Sequence, residues 1–479
     1  MRKMDRLSPM GRAAIVAGLL NLAGLLGAAE LHVDFAQTNG LIRALHGGNC
    51  GPLNYGGLLD FTTHHRELGI PMTRLHDCHY PNPDVVDIHA IFPDFRADAA
   101  LPENYQFDRT DDYLRGITNT GAKILYRLGE SIEHTPKKYH VHPPRDLDKW
   151  VTVATNIIRH CNDGWANGLR LGIEYWEIWN EPDVRPQMWT GTDEDYYRLY
   201  IRTSRAIKQH WPQLKVGGPA AGYVGQIDRE PPSFSPFIAG LLERCKKENA
   251  PLDFFSWHTY TANPWQLRQR AFNVRRLLDQ HGFKGCESIL DEWNYLPNND
   301  WTPMGLAGQG PKRDWFYDQI GGPPGAAFTA CALIYFQDCP LDMANYYTAE
   351  FQGFGLFNYH GTPKKTYYAM LAFKRLTETP LRVKSEGGEP DKLAIAAGLN
   401  KEKTEARILI SNLRSPNRRF DLKLDNLPWQ NGAFFEVLRV DDRLNLEKAQ
   451  TGNLAAPAAV LSLELPASSV VLIRLRPAP

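Results

Sequence analysis

Between about residue 40 and residue 375, short apolar runs alternate with longer stretches whose apolar residues recur three and four positions apart. The short runs read as buried strands and the longer stretches as helices with one apolar face. Eight strand-like runs stand out: Ala44–Asn49, Met72–Asp77, Ala122–Leu128, Tyr175–Asn180, Lys215–Pro219, Asp253–Tyr260, Ser288–Asp291 and Ala332–Gln337. Trp150–His160 and Glu194–His210 typify the helical stretches between them. Eight strands with eight crossovers over roughly 300 residues predict an α/β architecture, a (β/α)8 TIM barrel. The rival, an open doubly wound sheet, normally carries a glycine-rich phosphate turn after its first strand, and Gly47-Gly48 is no such turn.

After about Pro380 the pattern changes. Leu393–Leu399, Arg407–Leu413, Phe420–Leu424, Phe434–Arg439 and Ser469–Leu475 are short strand-like runs separated by Asn, Gly, Pro and Asp turns, as in a β-sandwich. The expected division is a catalytic barrel over residues 30–379 and a C-terminal β-sandwich over 380–479. Leu31–Phe35, ahead of the barrel, can add a strand to the sandwich. The sandwich is expected to cover one side of the barrel and to carry no catalysis.

At the N-terminus, Arg2, Lys3, Arg6 and Arg12 precede an apolar run from Ala13 to Leu26, and Gly27-Ala28-Ala29 supplies small residues for cleavage near Ala29. That order predicts an export signal over residues 1–29, since the run is short for a membrane span. An exported chain, periplasmic or extracellular and free of the membrane after cleavage, is the expectation. Acidic and basic residues balance at 54 each, which leaves no electrostatic footprint for nucleic acid. Aromatic residues are plentiful, and their faces stack on sugar rings, so composition mildly favours a carbohydrate partner. Seven cysteines in an exported chain leave at least one unpaired; Cys50 with Cys78, Cys331 with Cys339 and Cys245 with Cys286 are the candidate bridges. No Cys-x-x-Cys pair occurs, so the usual spacing of a zinc site is missing.

Two strand ends carry the chemistry. They are Glu174-Tyr175-Trp176-Glu177-Ile178-Trp179-Asn180-Glu181-Pro182 and Ser288-Ile289-Leu290-Asp291-Glu292-Trp293-Asn294. A glutamate at the end of a buried strand is costly unless it is paired or used. Two of them suggest a carboxylate pair that cuts glycosidic bonds, one as acid and one as base or nucleophile. In a barrel, active residues sit at the carboxyl ends of strands, and Glu181 follows the fourth run and Glu292 the seventh. One member of the pair has to keep its proton near neutrality, and the other has to stay ionised with donors around it.

These segments resemble the clan of retaining glycoside hydrolases that place the acid/base after barrel strand four and the nucleophile after strand seven. Within it the chain is most similar to glycoside hydrolase family 39, known for β-xylosidases and α-L-iduronidases. The resemblance covers nearly the whole mature chain, and its strongest carriers are the segments from Glu177 to Pro182 and from Asp291 to Asn294. Arg74-Leu75-His76, the segment from Leu252 to Tyr260, and the segment from Gly361 to Tyr368 support it. The resemblance implies that Glu181 is the acid/base and Glu292 the nucleophile, with Tyr260 and Arg74 as donors beside Glu292. Retention requires the two carboxyls to lie about 5–5.5 Å apart. Asn180 is expected to hold the sugar's 2-hydroxyl. His76 and His258, at the ends of the second and sixth runs, are candidate hydroxyl-binding residues. No cofactor and no metal is expected, because Asp77 and His79 lack a third correctly spaced ligand.

The segment from Leu296 to Ala326 is long and without clear periodicity, with Trp301, Trp315 and Gly321-Gly322-Pro323-Pro324-Gly325 along it. Following the nucleophile, it is expected to wall the pocket and close it into a dead end, with Trp315 against the substrate. A closed end means exo-action on terminal sugars. The sequence therefore reads as an exported, cofactor-free, retaining exo-glycosidase, β-xylosidase-like by default. Arabinoside, galactoside and uronide targets stay open, the last with Lys312 and Arg313 reading a carboxylate. Endo-action and a barrel that binds carbohydrate without turnover also remain, although both glutamates argue against the latter.

Overall fold

The computed structural model describes residues 29–80, 82–305 and 308–478. The predicted export signal, apart from Ala29, lies outside them. Eight parallel strands close into a barrel in chain order: Gly47–Asn49, Met72–Leu75, Lys123–Leu128, Tyr175–Ile178, Lys215–Ala221, Phe254–Thr261, Glu287–Tyr295 and Met343–Tyr346. Seven overlap the predicted runs. The eighth does not: Ala332–Gln337 falls in the helix Pro323–Tyr335 and the 3-10 turn after it, and Met343–Tyr346 closes the barrel instead. Every residue of that helix from Gly325 to Tyr335 is buried. With no polar face it shows no helical period, and such a run cannot be told from a buried strand.

The outer helices form for ordinary reasons. In Asp193–His210, Thr192 and Asp195 make a capping box, Asp193 and Glu194 stand in the first turn, and Lys208 and His210 close the last. Tyr196, Tyr200, Thr203 and Ile207 recur at helical spacing and are all buried against the barrel.

The barrel interior is layered. Met72, Leu125, Phe254 and Ile289 form an apolar plug, with Tyr175 and Met343 packed on it. Two residues further along their strands, on the same inward face, come Arg74, Arg127, Ser256, Asp291, Glu177 and Asn345. A charged layer thus rests on the apolar one, beneath the open carboxyl end.

Nine further strands form one mostly antiparallel sheet, in which Ala29–Leu41 pairs with both Leu381–Glu386 and Arg419–Asp425. Alternate residues face opposite ways. Ile395, Ala397, Ile408 and Ile410 belong to a core shared by all nine strands, so the sheet curls around it as a sandwich does. Ala394, Ala396 and Leu409 join the barrel's core, against helices Pro323–Tyr335 and Lys365–Thr377.

The long segment after Glu292 is less irregular than expected. It holds 3-10 turns at Pro297–Asn299 and Thr302–Met304, the helix Pro311–Gly321, and the start of Pro323–Tyr335. Gly310-Pro311 and Gly322-Pro323 punctuate it, each proline sitting in a first helical turn where its missing N–H costs nothing. All seven cysteines are buried free thiols, so none of the three candidate bridges forms; Cys50 donates to His76 O at 3.2 Å and Cys339 to Tyr335 O at 3.3 Å. Among the described residues no helix is long and apolar enough to cross a membrane.

Candidate active site

Two backbone irregularities aim the glutamates. On the seventh strand, Leu290 pairs with Trp257 and Glu292 with His258, so Asp291 is the extra residue of a bulge. Strict alternation would send Glu292 outward; the bulge turns it inward just after Asp291. Beyond the fourth strand, Trp179 (φ 70°) and Glu181 (φ 44°) adopt left-handed backbone. For residues with a Cβ this conformation costs about 1 kcal/mol or more each. Trp179 N–H donates to Leu128 O (2.7 Å) and Glu181 N–H to Ala220 O (3.0 Å), which ties the turn to both neighbouring strands.

Glu181 and Glu292 meet across His258, and one atom from each of the three lies within 4.8 Å of the others. His258 Nδ1 is 2.7 Å from Glu181 Oε1 and 3.5 Å from Glu292 Oε2, while Nε2 is 3.6 Å from Asp291. Burial alone would push this imidazole down, but Glu292, Asp291 and Glu181 hold it well above the usual histidine range. His258 is therefore an imidazolium between carboxylates rather than a free hydroxyl-binding side chain.

Arg74 is fully buried at the centre of the charged layer. It donates to Glu177 Oε2 (2.8 Å), Asn49 Oδ1 (3.1 Å), Glu292 Oε2 (3.2 Å) and Asn180 Oδ1 (2.6 Å), and its Nε lies 2.8 Å from Asp291 Oδ2. Tyr260 O–H donates to the other oxygen of Glu292. Burial, with the Glu181 charge beside it, lifts Glu292 above the usual carboxylate range, against the pull of His258, Arg74 and Tyr260. Burial, with Asp291 alongside, pushes Glu177 up to about 8 although Arg74 opposes it. Asp291 is equally buried, yet Arg74 and His258 hold it below the ordinary range. One proton on Glu177 thus relieves the crowding of acids around Arg74.

A cleft of about 790 Å³ opens over these groups. Glu181, His258, Glu292, Tyr260 and His76 line it; Asn180 and Arg74 lie buried just beneath, and Asn180 Nδ2 has no partner among the described residues. His76 is kept neutral by burial and by the Arg127 and Arg74 charges, which push it well below its usual range. Trp315 is the exception among the predicted site residues: it stands exposed on the helix Pro311–Gly321, outside the cleft lining. Trp301 takes its place, within 5.0 Å of the Tyr260 ring and 6.1 Å of Phe354, which in turn lies 6.1 Å from Tyr347. This aromatic wall lines the cleft beside Glu292. Lys312 and Arg313 also lie outside the lining, and Arg313 is bonded to the carbonyls of Pro303, Met304 and Gly305.

Sequence reading missed four members of this site. Glu177 and Asp291 sit inside apolar strands, which was itself the available signal of a buried acid in use. Asp77, two residues past the second strand's end, lines the cleft with left-handed backbone (φ 51°). Its Oδ1 accepts from Ile132 N–H at 3.1 Å, and burial pushes it up to about 7 against that bond and Arg127. Phe354, the fourth, had no local signal. A metal is poorly served here: His79 turns to Glu350 (2.7 Å) rather than to Asp77, and the Glu181–His258–Glu292 group already holds a cationic imidazole with Arg74 behind it.

Comparison with known proteins identifies the family. The chain is 28% identical over 357 residues to a β-xylosidase of Caldicellulosiruptor saccharolyticus, covering 67% of this chain and 66% of the relative. It is 26% identical over 262 residues to a β-xylosidase of Geobacillus stearothermophilus, covering 50% and 48%. It thus spans just under two thirds, and about half, of those relatives' lengths. The crystal structure of a glucosidase from Croceicoccus marinus superposes with a TM-score of 0.79 at 25% identity, over 94% of this chain and 99% of that one. The sequence profile of the glycosyl hydrolases family 39 matches residues 85–404, more than half of the chain. The chain belongs to glycosyl hydrolase family 39, a family of retaining glycoside hydrolases.

Proposed function

We propose that this enzyme removes terminal β-xylosyl residues from the ends of oligosaccharide or polysaccharide chains by double displacement. Glu292 attacks the anomeric carbon as Glu181 passes its proton to the leaving oxygen. Glu181 then takes a proton from the water that attacks the glycosyl–Glu292 bond, which releases the sugar with its configuration retained. Arg74, Tyr260 and His258 keep Glu292 anionic before attack and receive its charge when it leaves. Asn180, held through Oδ1 by Arg74, offers its unpartnered Nδ2 to the 2-hydroxyl.

The observation that carries this reading is the approach of Glu181 and Glu292 across one imidazolium, close enough for direct attack rather than for an intervening water. Exo-action is supported by the wall of Tyr260, Trp301, Phe354 and Tyr347 beside Glu292. A β-xyloside is favoured by the two β-xylosidase relatives; the glucosidase among the similar structures makes a glucoside the second reading.

The test is a panel of aryl glycosides (xyloside, glucoside, arabinosides, galactosides, glucuronide) with wild type and Glu292→Ala, the mutant with and without azide. Cleavage of the xyloside, and azide rescue of the mutant as a glycosyl azide of inverted configuration, is the expected result. Lack of turnover on any member and on xylo-oligosaccharides would overturn it. Export, proposed from the basic start and the apolar run before Ala29, predicts secreted protein whose N-terminal residue lies at or beside Glu30.

A further inference from the structure

A second cavity, of about 520 Å³, lies behind the aromatic wall, between the helix Pro311–Gly321, the loop after the eighth barrel strand, and the sheet strand Asn445–Leu454. Gln352 borders both spaces. Phe354 faces the cleft and meets edge-on, at 5.9 Å, the ring of Tyr317, which lines the second cavity. The Tyr317 ring packs against Gly353, where a Cβ would come within 2.0 Å of it. The two spaces therefore stand back to back across one layer of aromatic rings.

The lining is not that of a leftover void. Tyr359 borders the cavity with 64% of its surface exposed; Phe351 meets it edge-on at 5.6 Å, which leaves the ring open to solvent. Asn358 is fixed by its Oδ1, which accepts from His360 N–H and Thr362 N–H at 2.9 Å, so its Nδ2 hydrogens point elsewhere. Among the described residues, the side chains of Asp318 and Asn445 make no hydrogen bond. Lys364 donates to Gly353 O (3.0 Å) and Lys365 to Leu444 O (3.1 Å), so both amines are tied to backbone carbonyls. An open aromatic face, free amide donors, one carboxylate acceptor and two amines held on backbone carbonyls suit a chain of pyranose rings. Such a ligand offers apolar C–H faces and hydroxyls that both donate and accept.

We infer that this cavity is a second carbohydrate site, which holds a remote stretch of the polysaccharide while its end, or that of a neighbouring chain, enters the cleft. The inference rests on the glycosidase reading for its ligand class. Its residues lie outside the cleft, so small substrates that fill only the cleft do not report on it.

Affinity electrophoresis in gels containing neutral arabinoxylan or mixed-linkage β-glucan separates the two readings, with Glu292→Gln protein used to prevent hydrolysis. One of these polymers is expected to retard the protein, and Tyr359→Ala to weaken that retention roughly tenfold, the scale of one lost stacking partner, while Tyr359→Phe keeps it. In the otherwise wild-type enzyme, Tyr359→Ala leaves kcat/KM on the aryl glycoside unchanged and lowers sugar release from polymer. Retention that Tyr359→Ala leaves intact, that a cleft-bound sugar abolishes, or that neither polymer produces would overturn the second site. Retention without turnover of any aryl glycoside would leave this site standing and sink the catalytic reading instead.

Discussion

The imidazole of His258 lies 2.7 Å from the Glu181 carboxylate, and the same nitrogen is 3.5 Å from Glu292, so one cation serves both reacting acids. Burial would discharge it, but the surrounding carboxylates hold it protonated through neutral pH. Replacing it by glutamine removes the charge that pulls Glu292 down. The Glu292 pKa then rises further, and activity, which needs the ionised carboxylate, is lost at a higher pH on the acid side. His258→Gln should lower kcat/KM about 100-fold and move the acid limb of its pH profile upward. An unmoved acid limb would mean that His258 only fills space.

Tyr260 contributes a hydrogen bond to the opposite oxygen of Glu292. Bonds to a charged group are worth about 1.5–3 kcal/mol. Tyr260→Phe should therefore cost about 10- to 100-fold in kcat with the fold intact, measured as turnover beside a thermal melt. Loss confined to KM would assign Tyr260 to substrate binding.

The strand ends were readable because a barrel puts catalytic acids where strands stop, and Trp179-Asn180-Glu181 and Glu292-Trp293-Asn294 break apolar runs at those points. What could not be read was geometry that alternation hides. The bulge at Asp291 turns two consecutive acids into one interior, and no spacing rule separates that from an ordinary strand end. The eighth strand was misplaced because the helix Pro323–Tyr335 is buried on every side, whereas the real strand is four residues long. Trp315 and Trp301 were indistinguishable in sequence; the Gly310-Pro311 start of a helix carries one away from the cleft and leaves the other at its edge.

Glu177 offers a stability test with a definite sign. Its carboxyl is raised from 4.5 to about 8, so the folded state binds a proton that the unfolded chain releases. The stability tied to that proton is fully present below pH 4.5 and is lost as pH rises through about 8. Glu177→Gln keeps the shape and an acceptor for Arg74 but cannot ionise. Its melting temperature should match wild type near pH 5 and fall less steeply between pH 6 and 9. Parallel curves would show that Glu177 is charged in the fold.

Asp77 lines the cleft and is raised to about 7, so it is neutral at pH 6 and charged at pH 8. Asp77→Asn copies the neutral form. Variant and wild type should share one KM below neutrality and diverge above it, as the wild-type carboxylate gains its charge beside the substrate. KM values that differ by a constant ratio from pH 5 to pH 9 would remove Asp77 from substrate contact.

Trp301 and Phe354 form the same wall but differ in burial, at 46% and 5% exposed. Phe354 packs within 6.2 Å of Tyr260, Trp301, Tyr317 and Tyr347, and truncating such a buried ring costs about 3–5 kcal/mol. Phe354→Ala should thus lower the melting temperature and impair every activity together. Trp301 has less to lose on folding, so Trp301→Ala should leave the melt nearly unchanged while raising KM about tenfold through the missing ring face. If the wall is what confines the enzyme to chain ends, removing Trp301 should also let it release oligosaccharides from within a chain, read by product sizing on xylohexaose. Single sugars alone from both proteins, with KM unmoved, would show that the closure lies elsewhere in the cleft.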